Sequence, residues 1–309
     1  MAIKNTNPLL CDPQTGVCEI PGTSSYESVE IPVVTQQKPL QVIYFTDPIC
    51  SSCWGIEPQL RKLKQEYGDH FNIEYRMGGL LPSWDVYNSG AIAKPSDVAH
   101  HWDEVSAYFE MPIDGNVWLE DPLYSSYPPS IAFIAAKMQD IAKADKFFRR
   151  IKEMVFLEKK NITRPEHLRE AAKEAGLELD LFEKDLKDKA NELFAADLDY
   201  AHSLGVRSFP TLFFTNEAGD QRMLKGVRSF DRFENIVLDL CPGAEKKIFS
   251  NSLEDFCSNY PSFTTKEFAV ITDRPMEEAE KILHEGIEKD LVEKIAVRNG
   301  DFWKRKLII

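Results

Sequence analysis

A chain of 309 residues can bury one large core or two smaller ones. Its 50 acidic and 37 basic side chains leave a formal net charge of −13, which opposes general binding to nucleic acid or to an anionic membrane. No apolar run approaches the ~18 residues that a membrane span requires, and the start MAIKNTNPLLCDPQTG has no apolar signal core, so a cytoplasmic protein is expected.

Residues 1–25 read as an irregular arm rich in proline and glycine, carrying Cys11 and Cys18 across a DPQTGV turn. The plain reading is two incidental thiols. The sharper one is an auxiliary pair that closes a small loop, or that exchanges with cysteines further on. Ser28 to Val34 is a candidate edge strand, because Pro32 removes a backbone donor. Next comes QVIYFTDPICSSCWG: an apolar strand (Val42, Ile43, Tyr44, Phe45), a Thr-Asp-Pro turn and a Cys-x-x-Cys pair. Ile56, Leu60, Leu63 and Tyr67 then fall on one face of a helix. Cys50 thus stands at a helix N-terminus, where unpaired N–H groups and the macrodipole favour a thiolate. That makes it a nucleophile and a good leaving group, with Cys53 one turn on to close a disulfide. A zinc site would require a second ligand pair at short spacing, and Cys11/Cys18 and Cys241/Cys257 are too far apart to supply one. No metal or organic cofactor is expected.

Phe71, Ile73, Tyr75 and Met77 alternate as a second strand, which makes the segment a right-handed βαβ unit. From about 82 to 205 the pattern is almost wholly helical. Its stripes include Val98, Trp102, Val105 and Phe109, and a long helix capped by Asp180 and ended by Gly205. His100 and His101 read as surface residues. The loop WLEDPLYSSYPPS (118–130) is read first as a packed connection. Its sharper reading is a substrate groove beside Cys50, with Tyr124 and Tyr127 as the residues to watch. Thr211 to Thr215 and Arg222 to Val227 form a hairpin, and a helix follows Ser229. Asp47 is read as a turn residue before Pro48, Glu57 as a surface charge, and Trp54 as a ring packed beside the cysteines that shields them.

DPICSSCWG opening a helix after a strand, with VRSFPTLFF far downstream, resembles the thioredoxin superfamily. More narrowly it resembles the DsbA-like dithiol–disulfide oxidoreductases and isomerases, over about residues 28–241. The resemblance implies a thioredoxin-like α/β fold with a large helical insertion. It implies Cys50 as attacking thiol, Cys53 as resolving thiol, and Pro210 as a cis-proline facing them. The loop of Phe209 and Pro210 then presents a backbone edge to an extended substrate. Ser51-Ser52 between the cysteines departs from the Gly-Pro and Pro-His versions, so redox direction is not assigned.

After Cys241-Pro242-Gly243 three short helices and an Asn299-Gly300 hairpin suggest a small winged-helix-like α+β domain. The expected division is an arm at 1–25, a DsbA-like domain at 26–243 with its insertion at about 82–205, and a C-terminal domain at 244–309. Residues 244–306 hold 11 basic and 13 acidic side chains, 11 − 13 = −2, and the candidate recognition helix is acidic. That opposes phosphate binding and favours a protein contact, with Arg298, Lys304, Arg305 and Lys306 the main cations left for DNA. The leading reading is a thiol–disulfide oxidoreductase acting on a protein or small-molecule disulfide, with Phe209, Trp54, Tyr124 and Tyr127 near its substrate. The alternative is an adaptor or redox-sensing binding protein without turnover, because the DsbA-like fold also resembles a bacterial adaptor that delivers a regulator to a protease. A glutathione-using isomerase like the hydroxychromene-carboxylate isomerases ranks last, because those carry serine where Cys50 stands.

Overall fold

In the computed structural model, which describes residues 11–12, 17–19, 38–87 and 92–306, the chain begins with a short hairpin. Cys11–Asp12 (β1) and Val17–Glu19 (β2) pair antiparallel, so the arm is not irregular where it is described. The proposed strand at Ser28 to Val34 lies outside the described residues. Leu40–Thr46 (β3) leads into Ser51–Gly55 (α1) and Glu57–Tyr67 (α2), then returns as Phe71–Met77 (β4), parallel to β3 as the βαβ reading requires. Tyr44, Phe45 and Thr46 are all fully buried, as in a strand covered on both faces. The helix after the cysteines breaks at Ile56, because Pro58 has no N–H to offer the Trp54 carbonyl.

Among the described residues seven helices follow: Pro95–Phe109 (α3), Val117–Glu120 (α4), Tyr127–Gln139 (α5), Ile141–Leu157 (α6), Pro165–Glu174 (α7), Leu179–Lys187 (α8) and Lys189–Ser203 (α9). The single long helix expected from Asp180 is two, broken at Asp188 (φ −126°, ψ −108°), where the Asn191 amide takes the Leu186 carbonyl. The break lets α8 pack on α7 while α9 reaches β4. Ser208–Phe209 (β5), Thr211–Asn216 (β6), Gln221–Lys225 (β7) and Phe230–Leu240 (α10) complete this unit. The central sheet has the order β4-β3-β6-β7, and β2 pairs on its other edge with β5. This is a thioredoxin-like α/β fold with a helical insertion.

The remainder is Leu253–Asn259 (α11), Ser262–Thr264 (β8), Thr265–Ile271 (α12), Met276–Glu288 (α13), Val292–Val297 (β9) and Gly300–Arg305 (β10). The three helices and the hairpin match the reading, and β8 adds a third strand in the order β8-β10-β9. Asn299 and Gly300 both take positive φ (65° and 153°) at the turn. This unit has its own core, built on Phe256, Phe263, Phe268, Leu283 and Trp303. Cys257 is buried there as a free thiol, pushed up to about 11 by desolvation, while Cys241 is only half-buried.

A charged knot ties the two cores together. Arg149 on α6 holds Glu267 of α12 with two hydrogen bonds (2.7 and 3.0 Å), donates to Glu153 at 2.6 Å and lies 3.7 Å from Glu57. Arg61 of α2 reaches Glu267 at 3.2 Å, and Lys152 pairs with Glu57. Glu57 is therefore no surface charge. Burial alone raises its pKa, but Lys152, Arg149 and Arg61 outweigh that and hold the carboxyl down to about 2. At the far end, Arg298 donates to Asp103 and Asn116, both at 2.6 Å, so one of the cations considered for DNA is engaged within the chain.

Arg149→Leu removes the cation and leaves buried carboxylates behind, so it should lower stability by about 3–5 kcal/mol. Urea denaturation checks this, and a surface-pair loss near zero would contradict it. Because the folded pKa of Glu57 lies below its unfolded value, its contribution is present above about pH 4.5 and is lost as pH falls toward about 2. Glu57→Gln should therefore flatten the acid limb of the stability profile.

Candidate functional site

Cys50 is the N-cap of α1, with extended backbone (φ −74°, ψ 106°). Its Sγ accepts the Cys53 N–H at 3.1 Å, so a first-turn donor is aimed at the sulfur. The two cysteines form a disulfide, with Cα atoms 5.1 Å apart. Both are fully buried, as are Ser51 and Ser52 between them. An N–H already directed at Cys50 would stabilise its thiolate after reduction, which is the condition for attack on a second disulfide.

The turn that delivers Cys50 is held by Asp47. Its Oδ1 accepts Ile49 N–H (3.1 Å), and its Oδ2 accepts Leu80 N–H and the Ser126 hydroxyl (both 2.7 Å). One buried carboxylate thus joins the end of β3, the segment after β4 and the start of α5. Desolvation dominates and raises its pKa to about 6, against the three hydrogen bonds that lower it. The reading of Asp47 as a turn residue is right in place but too modest in scope.

The Phe209–Pro210 peptide is cis. Thr211 pairs with Phe45, so Pro210 lies at the same end of the sheet as Asp47 and the cysteine turn. The Phe209 ring lies over Gly78, where an added Cβ would sit 1.8 Å from it, so only glycine fits there. The outer edge of β5 is taken by β2, with Cys18 opposite Phe209 and Glu19 opposite Ser208. The same strand passes within 8 Å of α1, Cα to Cα.

The other candidate residues divide. Trp54 is enclosed in the core: its indole donates to the Pro112 carbonyl (3.0 Å), stacks on Phe156 (5.3 Å) and carries Arg149 at 4.6 Å over its face. It offers no surface to a substrate. Tyr124 is exposed and lines a cavity of about 550 Å³ with Ile131, Leu168 and Phe182, in which Cys50, Cys53, Phe209 and Pro210 take no part. Tyr127 is half-buried and packs edge-on to Phe194 (4.8 Å). The 118–130 loop reaches the base of the site through Ser126. A serine directly before the Tyr-Pro-Pro helix start was the available signal. His101, read as surface, is buried, and desolvation lowers its pKa. Among the described residues no helix is long and apolar enough to cross a membrane.

A family model described as thioredoxin matches residues 44–236. The chain belongs to the thioredoxin superfamily. It is 33% identical over 304 residues to the "ClpXP adapter protein SpxH" of Halalkalibacterium halodurans, covering 96% of this chain and 97% of that one. The protein of the same name from Bacillus subtilis is 33% identical over 273 residues, covering 87% and 90%. Among solved structures, a candidate protein disulfide isomerase from Nitrosomonas europaea superposes with a TM-score of 0.56 at 22% identity, covering 66% of this chain and 97% of its own. The cytosolic disulfide reductase DsbM from Pseudomonas aeruginosa gives 0.50 at 22%, covering 65% and 94%. These two likenesses are of fold.

Asp47 has a folded pKa above its unfolded one, so its contribution is full below about pH 3.8 and is lost as pH rises through about 6. Across that window the difference between wild type and Asp47→Asn should change by roughly 3 kcal/mol, favouring wild type at the acid end. Thermal melts of both proteins across the same pH series check it. Parallel profiles would mean that Asp47 does not titrate in this range.

Proposed function

We propose that the chain is a cytoplasmic protein-binding adaptor whose Cys50–Cys53 pair reports redox state, with a ClpXP protease as one partner. The observation that carries this reading is the extent of the likeness. The adapter-named relative aligns over 304 residues, whereas the thioredoxin family model stops at residue 236, before the C-terminal unit begins. What distinguishes this chain from a bare DsbA-like domain is therefore the part it has in common with adapters. Burial of both sulfurs agrees, since an enzyme for bulky disulfides needs an accessible attacking sulfur. The path from the pair to the C-terminal unit is short: Trp54 follows Cys53, Arg149 lies on its ring, and Arg149 holds Glu267 of α12.

The second reading is a turning-over oxidoreductase, favoured by the N–H aimed at Cys50 and by the cis-proline edge. In it the Cys50 thiolate attacks a substrate disulfide, and Cys53 displaces the reduced product. Phe209 and Pro210 then present backbone to the substrate, and Tyr127 stands at the margin.

Purified ClpXP separates the two. Wild type and Cys50→Ser/Cys53→Ser should both bind it, and wild type should show no repeated turnover of a disulfide-bonded protein with glutathione. Absence of ClpXP binding, together with turnover abolished by the double substitution, would favour the enzyme.

A further inference from the structure

The N-terminal hairpin is not absorbed by either reading, yet it occupies the place where a substrate strand would lie. We propose that Cys11 and Cys18 form a second dithiol that exchanges directly with Cys50–Cys53, making the hairpin a built-in redox partner. This rests on the redox activity of Cys50–Cys53 and does not depend on the protease partner.

Three features of the backbone carry it. Cys11 and Cys18 are register partners of an antiparallel pair. Directly opposed residues in such a pair have Cα atoms about 4.5–5.5 Å apart, inside the roughly 4.4–6.8 Å span of a disulfide. Next, Cys18 is the register partner of Phe209, the residue before cis-Pro210. An extended segment on a free sheet edge gains main-chain hydrogen bonds whatever its side chains, so β5 is a natural docking edge for a disulfide-bearing strand. Here β2 fills it. Lastly, β2 also runs beside α1, the helix that begins at Cys50. One three-residue strand therefore joins a vicinal dithiol, the cis-proline edge and the Cys-x-x-Cys helix. The spacing of Cys11 and Cys18 suggested an auxiliary pair, and the pairing of β2 supplies the reach that spacing alone did not.

The exchange balances without an outside reagent. The Cys18 thiolate attacks Sγ of Cys50, the S–S bond to Cys53 breaks, and Cys53 leaves as thiolate. The Cys11 thiolate then attacks Sγ of Cys18, forming Cys11–Cys18 and releasing Cys50. Two electrons pass from the hairpin to the buried pair, and the two thiol protons of Cys11 and Cys18 end on Cys50 and Cys53. The reverse sequence carries them back.

Trapping the intermediate in full-length protein tests the proposal. In Cys11→Ser/Cys53→Ser, mild oxidation with oxidised glutathione should yield a Cys18–Cys50 bond. A glutamyl endopeptidase cutting at Glu19, Glu30 and Glu66 would release it as residues 1–19 linked to residues 31–66, because the Glu57–Pro58 bond resists cleavage. Its yield should be independent of protein concentration. It should exceed that of the Cys11–Cys50 link in Cys18→Ser/Cys53→Ser by at least about tenfold, as expected for a tethered thiol at effective millimolar concentration. If Cys50 takes up glutathione but shows no excess link to Cys18, or links only between molecules, the internal exchange is overturned and the redox-active pair stands. If Cys50 forms no mixed disulfide with glutathione or Cys18, the exchange and the redox reading fall together.

Discussion

Arg149 lies among Glu57, Glu153 and Glu267, carboxylates from two helices of the thioredoxin-like unit and one of the C-terminal unit. Its own side chain is only 13% exposed, and that of Glu267 is fully buried. Charges this enclosed hold their places only when every partner is present, because the desolvation of each ion must be offset by the others. The arrangement therefore acts as a lock that joins the two cores through mutually dependent charges. Screening by salt, which erases surface pairs, should touch it little.

The lock also fixes the cysteine helix. Glu57 and Arg61 project from α2, which continues α1 beyond the break at Ile56, and Arg149 covers the ring of Trp54. On the other side Asp47 gathers the turn before Cys50 onto Leu80 and Ser126. The disulfide is thus clamped by one buried carboxylate whose pKa burial raises and flanked by another whose cationic neighbours lower it.

The strand–turn–Cys-x-x-Cys–helix unit was legible because a run of β-formers, a Pro turn and a heptad-like apolar stripe are all local signals. The cis bond at Pro210 was legible only through the resemblance, since no local chemistry demands it. Glu57 was misread because its three cationic partners come from α2 and α6, and a residue three positions past a Cys-Trp pair looks exposed when the stripe alone is counted. Trp54 was placed beside the cysteines correctly in sequence, but its burial under Arg149 depends on α6, about a hundred residues later. The hairpin of the arm was invisible for a related reason: strands of two and three residues have no periodicity to read, and the strand that anchors β2, β5, lies about 190 residues later. Tyr124 was drawn toward the site by composition, whereas the fold turns it to the α5–α7–α8 side.

In the proposed redox-reporting adaptor, the state of Cys50–Cys53 is felt in the C-terminal unit through Trp54, Arg149 and Glu267. Hydrogen exchange of the full-length protein, compared between its oxidised and reduced forms, tests this most directly. Amides of α12, Thr265–Ile271, should change their protection together with those of α1. Changes confined to α1 and its immediate neighbours, with α12 unaltered, would contradict it.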